Sequence, residues 1–372
     1  TGKNGPGQKR FEHFDIDVDV SQLKLFGAPY DNVNLHVERM QAGWEASIDS
    51  VDINGMMSFP NDIEKETVEL DLERLKIKNN PNPEDDNQIE PDKIPKLNIK
   101  VDNFSIDDLN LGEFSLKTTK INNGISIDSI QFLKPDLQIS GVGRWIKENG
   151  IDDSKFNLDL HADHITAMLE TFGYSGAAID KGETYINLDA VWSGPPMDFS
   201  LANVNGTLSL DIKKGQMLNL KPTAGRLFGL LSLQTLPRRL SLDFRDLFSK
   251  GFSFDHIDGI FTLENGNAYT NNLSMRGPSA NIIVTGRTGL RTQDYDQIVT
   301  VTPQVSNSLP VASALFGPIG VGVGAVIFLA GEMFDSIPKQ IDKLLRYQYS
   351  ITGSWDDPVV EKIKRGTEEK SG

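Results

Sequence analysis

Between Phe14 and Lys134 apolar and polar residues alternate, run after run. Phe14, Ile16, Val18 and Val20 are interleaved with Asp15, Asp17 and Asp19. The same spacing returns at Val33, Leu35 and Val37, then at Trp44, Ala46 and Ile48. Val68, Leu70 and Leu72 continue it, followed by Leu97, Ile99 and Val101 and by Ile125 and Ile127. Successive side chains of an extended strand point to opposite faces, so each run carries one apolar face and one charged face. The spacing predicts sheet, antiparallel in kind and wet on one side. Residues 79–95, rich in proline and acid, read as a loop between runs. Glycines recur inside or just after the runs, at Gly55, Gly141, Gly143, Gly286 and Gly353. In strands such glycines mark bends and bulges. Their irregular spacing fits a degenerate β-repeat rather than a solenoid of fixed period.

The second half mixes in helix. Leu208, Leu210 and Ile212 alternate as a strand. Pro222 then suits a first helical turn and Pro237 a stop, with Ala224, Leu227, Phe228 and Leu231 at helical spacing between them. Leu230 and Leu233 widen that stripe, so the segment needs cover on most sides. It either packs on one sheet face or plugs one end of an apolar trough. A second helix is expected from Asp163, as N-cap, to Phe172, with Gly173 as its stop and Ile165, Met168, Leu169 and Phe172 as its apolar stripe. Strands resume from Phe252 to Leu290 and again from Ile298 to Val305. The stretch from Gln297 to Gly331 contains no charged residue. Within it Leu309–Ala330 is long enough to span a bilayer as a helix, but Pro310, Pro318 and several glycines make it a poor one. A buried hairpin or plug, shallow membrane contact and a true span are all open. A helix over Met333–Tyr347 and a strand over Tyr347–Ile351 close the chain. The resulting division is a flexible leader (1–10), a β-region (11–160), a mixed region (161–306), an apolar segment with helix (307–346), and a terminal strand and tail (347–372).

The 372 residues carry a net charge of −15, and the 37 basic residues form no cluster. Nucleic-acid binding needs a basic stripe and is excluded. Attraction to an anionic membrane surface is excluded for the same reason, so any membrane contact would be hydrophobic. With no cysteine there is no disulfide, thiolate metal site or cysteine nucleophile. The opening Thr1-Gly-Lys-Asn-Gly-Pro-Gly is neither a signal peptide nor an initiator sequence, which points to a fragment whose export signal lies upstream. Asp15, Asp17 and Asp19 imitate the start of an EF-hand, but Val20 and Phe26 occupy the positions that need Gly and Glu. His161 and His164 lack the further ligands a metal requires. Ser175 breaks the nucleophile-elbow pattern, and Gly320, Gly322 and Gly324 lack the residues of a phosphate loop. Among 52 acidic residues no catalytic pair stands out. Catalytic residues, metal and cofactor are therefore all expected to be none.

The segment Ala224-Gly-Arg-Leu-Phe-Gly-Leu-Leu-Ser-Leu-Gln-Thr-Leu-Pro-Arg-Arg-Leu-Ser-Leu-Asp-Phe244 resembles the AsmA-like C-terminal region of the YhdP family. Asp246–Asp255, Gly277–Leu290, Asp294–Gln297 and Gly353–Pro358 are similar to it as well. The resemblance is specific over roughly 163–358; residues 11–160 show only the general β-pattern. It implies a mainly β fold, an elongated, curled antiparallel sheet forming a hydrophobic groove, with short helices plugging the C-terminal end. It implies a non-enzymatic role as well, phospholipid transfer between the inner and outer membranes of a Gram-negative envelope. The location would be the periplasm, with an inner-membrane anchor upstream. The C-terminal end would meet the outer membrane or a protein of the outer membrane or periplasm.

On that reading Phe14, Ile16, Val18, Val33, Leu35, Val68, Leu70, Leu97, Ile99 and Leu158 line the groove and hold lipid. Leu227, Phe228 and Leu231 plug or gate it, while Leu315, Phe316, Ile327 and Phe328 touch the membrane. Two rivals remain at this stage: a structural or chaperone module in outer-membrane assembly with no lipid conduit, and a β-rich carbohydrate-active enzyme. A closed sandwich with a dry core would produce the same alternation.

Overall fold

A computed structural model describes residues 14–25, 28–78, 89–172, 179–217, 252–304 and 346–363. The chain divides into two compact units, residues 1–158 with 193–198, and residues 159–192 with 199–372. In both, the described residues are mainly strand, as the alternation predicts.

The first unit begins with β1 (Asp15–Leu25), β2 (Ala28–Arg39), β3 (Gly43–Asp49), β4 (Ile53–Pro60) and β5 (Thr67–Ile77). It continues with β6 (Lys96–Ile106), β7 (Leu109–Ile121), β8 (Gly124–Lys134), β9 (Leu137–Glu148) and the start of β10 (Ile151–Ala162). Each strand pairs with the next in sequence. The β9–β10 hairpin turns on Asn149 and Gly150, both at positive φ (52° and 79°), the backbone that a tight hairpin requires. One pairing departs from the antiparallel expectation. β5 and β6 run parallel, with Val68 beside Leu97 and Leu70 beside Ile99. The connection after Ile77 returns the chain to the end at which β5 began, so β6 starts in the same direction.

The apolar face of this unit is concave. Tyr30 and Val33 on β2 join Ile48, Ile53, Leu72, Leu75, Val101, Phe104 and Leu111 in one buried cluster drawn from six strands. Phe104 stacks on Phe114 at 4.6 Å, and Phe114 meets Phe132 at 4.9 Å. Strands that are not neighbours touch through this face, so the sheet curls toward it.

The second unit holds the end of β10, α1 (Ile165–Thr171), β11 (Ile179–Ser193), β12 (Asn205–Met217) and β13 (Phe252–Glu264). β14 (Asn267–Arg276), β15 (Ala280–Gly289), β16 (Asp294–Pro303), β17 (Tyr347–Ser354) and β18 (Pro358–Lys362) complete it. α1 starts one residue later than expected. His164 occupies the N-cap without a side-chain cap bond, so Asp163 is not the cap. Ile165, Met168 and Leu169 are buried, whereas Phe172, at the C-cap, is exposed. The helix expected at 221–233, the strand at 239–244, the apolar stretch 309–330 and the helix from 333 lie outside the described residues.

Candidate functional site

Antiparallel and parallel neighbours alike place paired residues on one face, so register decides whether the apolar sides of successive strands meet. In the first unit they do. Ile16 pairs with Val37, Val37 with Ala46, Ala46 with Met57 and Met57 with Leu70. Leu70 then pairs with Ile99, Ile99 with Leu116, Leu116 with Ile130 and Ile130 with Gly141. At Gly141 the missing side chain leaves room for the next strand, since a Cβ there would stand 2.6 Å from Leu158 Cδ2. The row thus crosses ten strands without a polar side chain. A second row runs beside it through Val18, Leu35, Ile48, Gly55, Leu72, Val101, Phe114, Phe132 and Ile139.

The two rows differ in exposure. In the second, Ile48, Leu72 and Val101 are buried in the cluster that closes one end of the strands, with Leu35, Phe114, Phe132 and Ile139 half-buried. In the first, Ala46 is buried, whereas Val37, Met57, Leu70, Ile99, Leu116, Ile130 and Leu158 are half-buried. On β1 the exposure rises further, to 45% for Ile16 and 39% for Val18, and it reaches 51% for Phe14 just before the strand. Side chains of an ordinary core would be dry at the centre of a sheet. A concave apolar face whose middle strands stay accessible is the feature that sets this unit apart. The second unit offers the comparison. There Ile212, Ile257, Met275, Ile282 and Val301, paired in turn from β12 to β16, are all buried.

Of the residues singled out from sequence, Ile16, Leu70, Ile99 and Leu158 lie in the first row and Val18 and Leu35 in the second. Val68 and Leu97 pair beside them, Val68 buried and Leu97 half-buried. Val33 is fully buried in the closed end, and Phe14 stands at the open margin of β1. Met57, Leu116 and Ile130 belong to the row but were not singled out, because nothing in their own runs reveals which strands flank them. Leu227, Phe228, Leu231, Leu315, Phe316, Ile327 and Phe328 fall outside the described residues.

On the outer face, Asp15, Asp17 and His36 converge closely enough to suggest a metal. His36 Nδ1 lies 2.7 Å from Asp17 and Nε2 lies 2.9 Å from Glu38. Hydrogen bonds from Glu38 and then Asp17 push the imidazole pKa up to about 9. Each ring nitrogen faces a carboxylate, so the protonated imidazole donates on both sides and the group is arranged as an ion-pair cluster.

The family profile described as YhdP protein matches residues 3–360. This chain belongs to the YhdP family. A curated relative, the intermembrane phospholipid transporter YhdP of Escherichia coli (strain K12), is 28% identical over 250 residues. That alignment covers 67% of this chain and 19% of the relative, so the chain spans under a fifth of the relative's length. No solved structure matches. Among the described residues, no helix is long and apolar enough to cross a membrane.

Proposed function

We propose that this chain is a segment of a phospholipid conduit, and that acyl chains lie along the concave face of its first unit. The observation that carries the reading is the row from Ile16 to Leu158, apolar on every strand and accessible along its middle. Each methylene withdrawn from water is worth about 0.8 kcal/mol, which favours holding a tail on such a face. The contacts are non-directional, so a tail slides from one strand to the next without breaking a specific bond. The role is non-enzymatic, since moving a lipid along such a face requires no bond to be made or broken. The family relative named for phospholipid transport between membranes supports the choice of cargo. On this reading the protein works in the periplasm, and its C-terminal part meets the outer membrane or a protein there, with Leu315, Phe316, Ile327 and Phe328 as its membrane contacts. Leu227, Phe228 and Leu231 gate the conduit.

The test is lipid content and transfer. Protein carrying Leu70→Asp and Ile99→Asp together is compared with protein carrying Glu69→Gln and Lys100→Gln, changes on the opposite face. Loss of co-extracted phospholipid and of fluorescent-phospholipid transfer in the first alone supports the reading. Equal lipid content in both, with both folded, contradicts it and leaves the structural role.

A further inference from the structure

The outer face of the second unit is broken at one place. β13 and β14 lose register between Asp258 and Thr262, and β14 and β15 do so between Thr270 and Leu273. Side by side, the two bulges open a cleft of about 580 Å³. Asn272 Oδ1 accepts the Ile260 N–H at 3.0 Å, a side chain standing in for the absent strand partner. The other face of these strands is dry, so this one is expected to be polar. Instead it presents Tyr269, Ile260 and Ile298, exposed by 42%, 50% and 44%.

Several polar side chains of the cleft are without hydrogen-bond partners among the described residues, while Asn272 and Arg287 are engaged. Among the described residues, the Tyr269 hydroxyl, the Asn271 amide and the Asp296 carboxylate make no hydrogen bond. Arg287, the cation of the lining, is held by both oxygens of Asp294 at 3.0 and 2.6 Å and has no charge to spare. An anion would meet the Asp296 carboxylate, whose charge adds to that of Asp294 around Arg287. A neutral ligand rich in hydroxyls meets an aromatic plate, a carboxylate that accepts, and a carboxamide that both accepts and donates.

We propose that this cleft binds a neutral saccharide, a chain of N-acetylated hexosamines. The C–H face of a sugar ring packs on Tyr269, and ring hydroxyls bond to Asn271. The acetamido N–H donates to Asp296 while its methyl group rests on Ile260 and Ile298. The volume falls within the range of small-molecule sites and accommodates a short oligosaccharide. Of the described residues lining the cleft, Asp296 is the one carboxylate. Glycoside hydrolysis ordinarily needs two, so the site holds sugar without cutting it. This inference does not depend on lipid occupying the first unit.

The experiment is calorimetric titration of the 372-residue chain with triacetylchitotriose, with maltotriose and inorganic phosphate as comparators. Saturable binding of triacetylchitotriose is expected, weakened about tenfold or more by Tyr269→Ala and by Asp296→Asn, each loss being about 1.4 kcal/mol. Both side chains are surface groups, and thermal unfolding checks that the variants remain folded. Maltotriose is expected to bind at least about tenfold more weakly, on the same conversion. No saturable binding, binding indifferent to both substitutions, equal binding of maltotriose, or displacement by phosphate overturns the assignment.

Discussion

Tyr30 on β2 donates its hydroxyl proton to the carbonyl oxygen of Lys76 on β5 across 3.0 Å. In a flat sheet three strand spacings would hold these strands about 14 Å apart. The bond therefore records the curl that makes the apolar face concave. Tyr30→Phe leaves the ring in the buried cluster and removes only the hydroxyl. The expected loss is about 1 kcal/mol. Tyr30→Ala also empties the ring site, for roughly 3–5 kcal/mol. Denaturant unfolding of the two variants checks the order.

The glycines of β9 predict a steric limit. A Cβ at Gly141 would stand 2.3 Å from the Asn157 carbonyl oxygen as well as against Leu158. Gly141→Val must therefore push β10 away, for roughly 1–3 kcal/mol. Amide exchange is expected to quicken on β10 and to stay unchanged on β13–β16.

His36 joins β1 to its neighbour through charge. Its raised pKa, about 9, means the protonated ring is favoured by folding. That contribution is complete below the ordinary histidine value of 6.5 and is lost as pH rises through about 9. The ring is exposed, so salt screens the effect. NMR titration is expected to place the His36 midpoint near 9, and to bring it closer to 6.5 when Glu38→Gln removes the larger cause.

The Arg287–Asp294 pair works in the opposite sense. The guanidinium holds the Asp294 carboxyl down to about 2, below its usual 3.8. The stabilisation is present above the ordinary value and is lost as pH falls through about 2. Because both groups are partly exposed, Arg287→Gln is expected to cost only about 0.5–1 kcal/mol at neutral pH. At pH 2 the difference from the parent should shrink, which acid titration of unfolding free energy measures.

Alternation made the strands and their faces legible, since period two is a local property. Leu70 and Ile99 could be placed on an apolar face from their own neighbours in sequence. Chain direction was not legible: the spacing of Leu97, Ile99 and Val101 is the same whether β6 runs with or against β5. Exposure was hidden too. Ile212 and Ile257 alternate as Leu70 and Ile99 do, yet the first pair is buried and the second half-buried, because cover comes from residues distant in sequence. The start of α1 slipped because Asp163, a good cap by type, sits one residue too early. The cleft around Tyr269 depends on two adjacent register shifts, which no single run discloses.

The central claim is that lipid tails occupy the row that crosses the first unit, and photo-crosslinking from within it is the most direct test. A photoreactive residue replaces Ile16 or Leu70 in the row, and Glu69 on the opposite face, in cells whose membranes contain labelled phospholipid. The account predicts labelled lipid joined to the protein from Ile16 and Leu70 and none from Glu69. Crosslinks from Ile16 and Leu70 that capture only protein would contradict it.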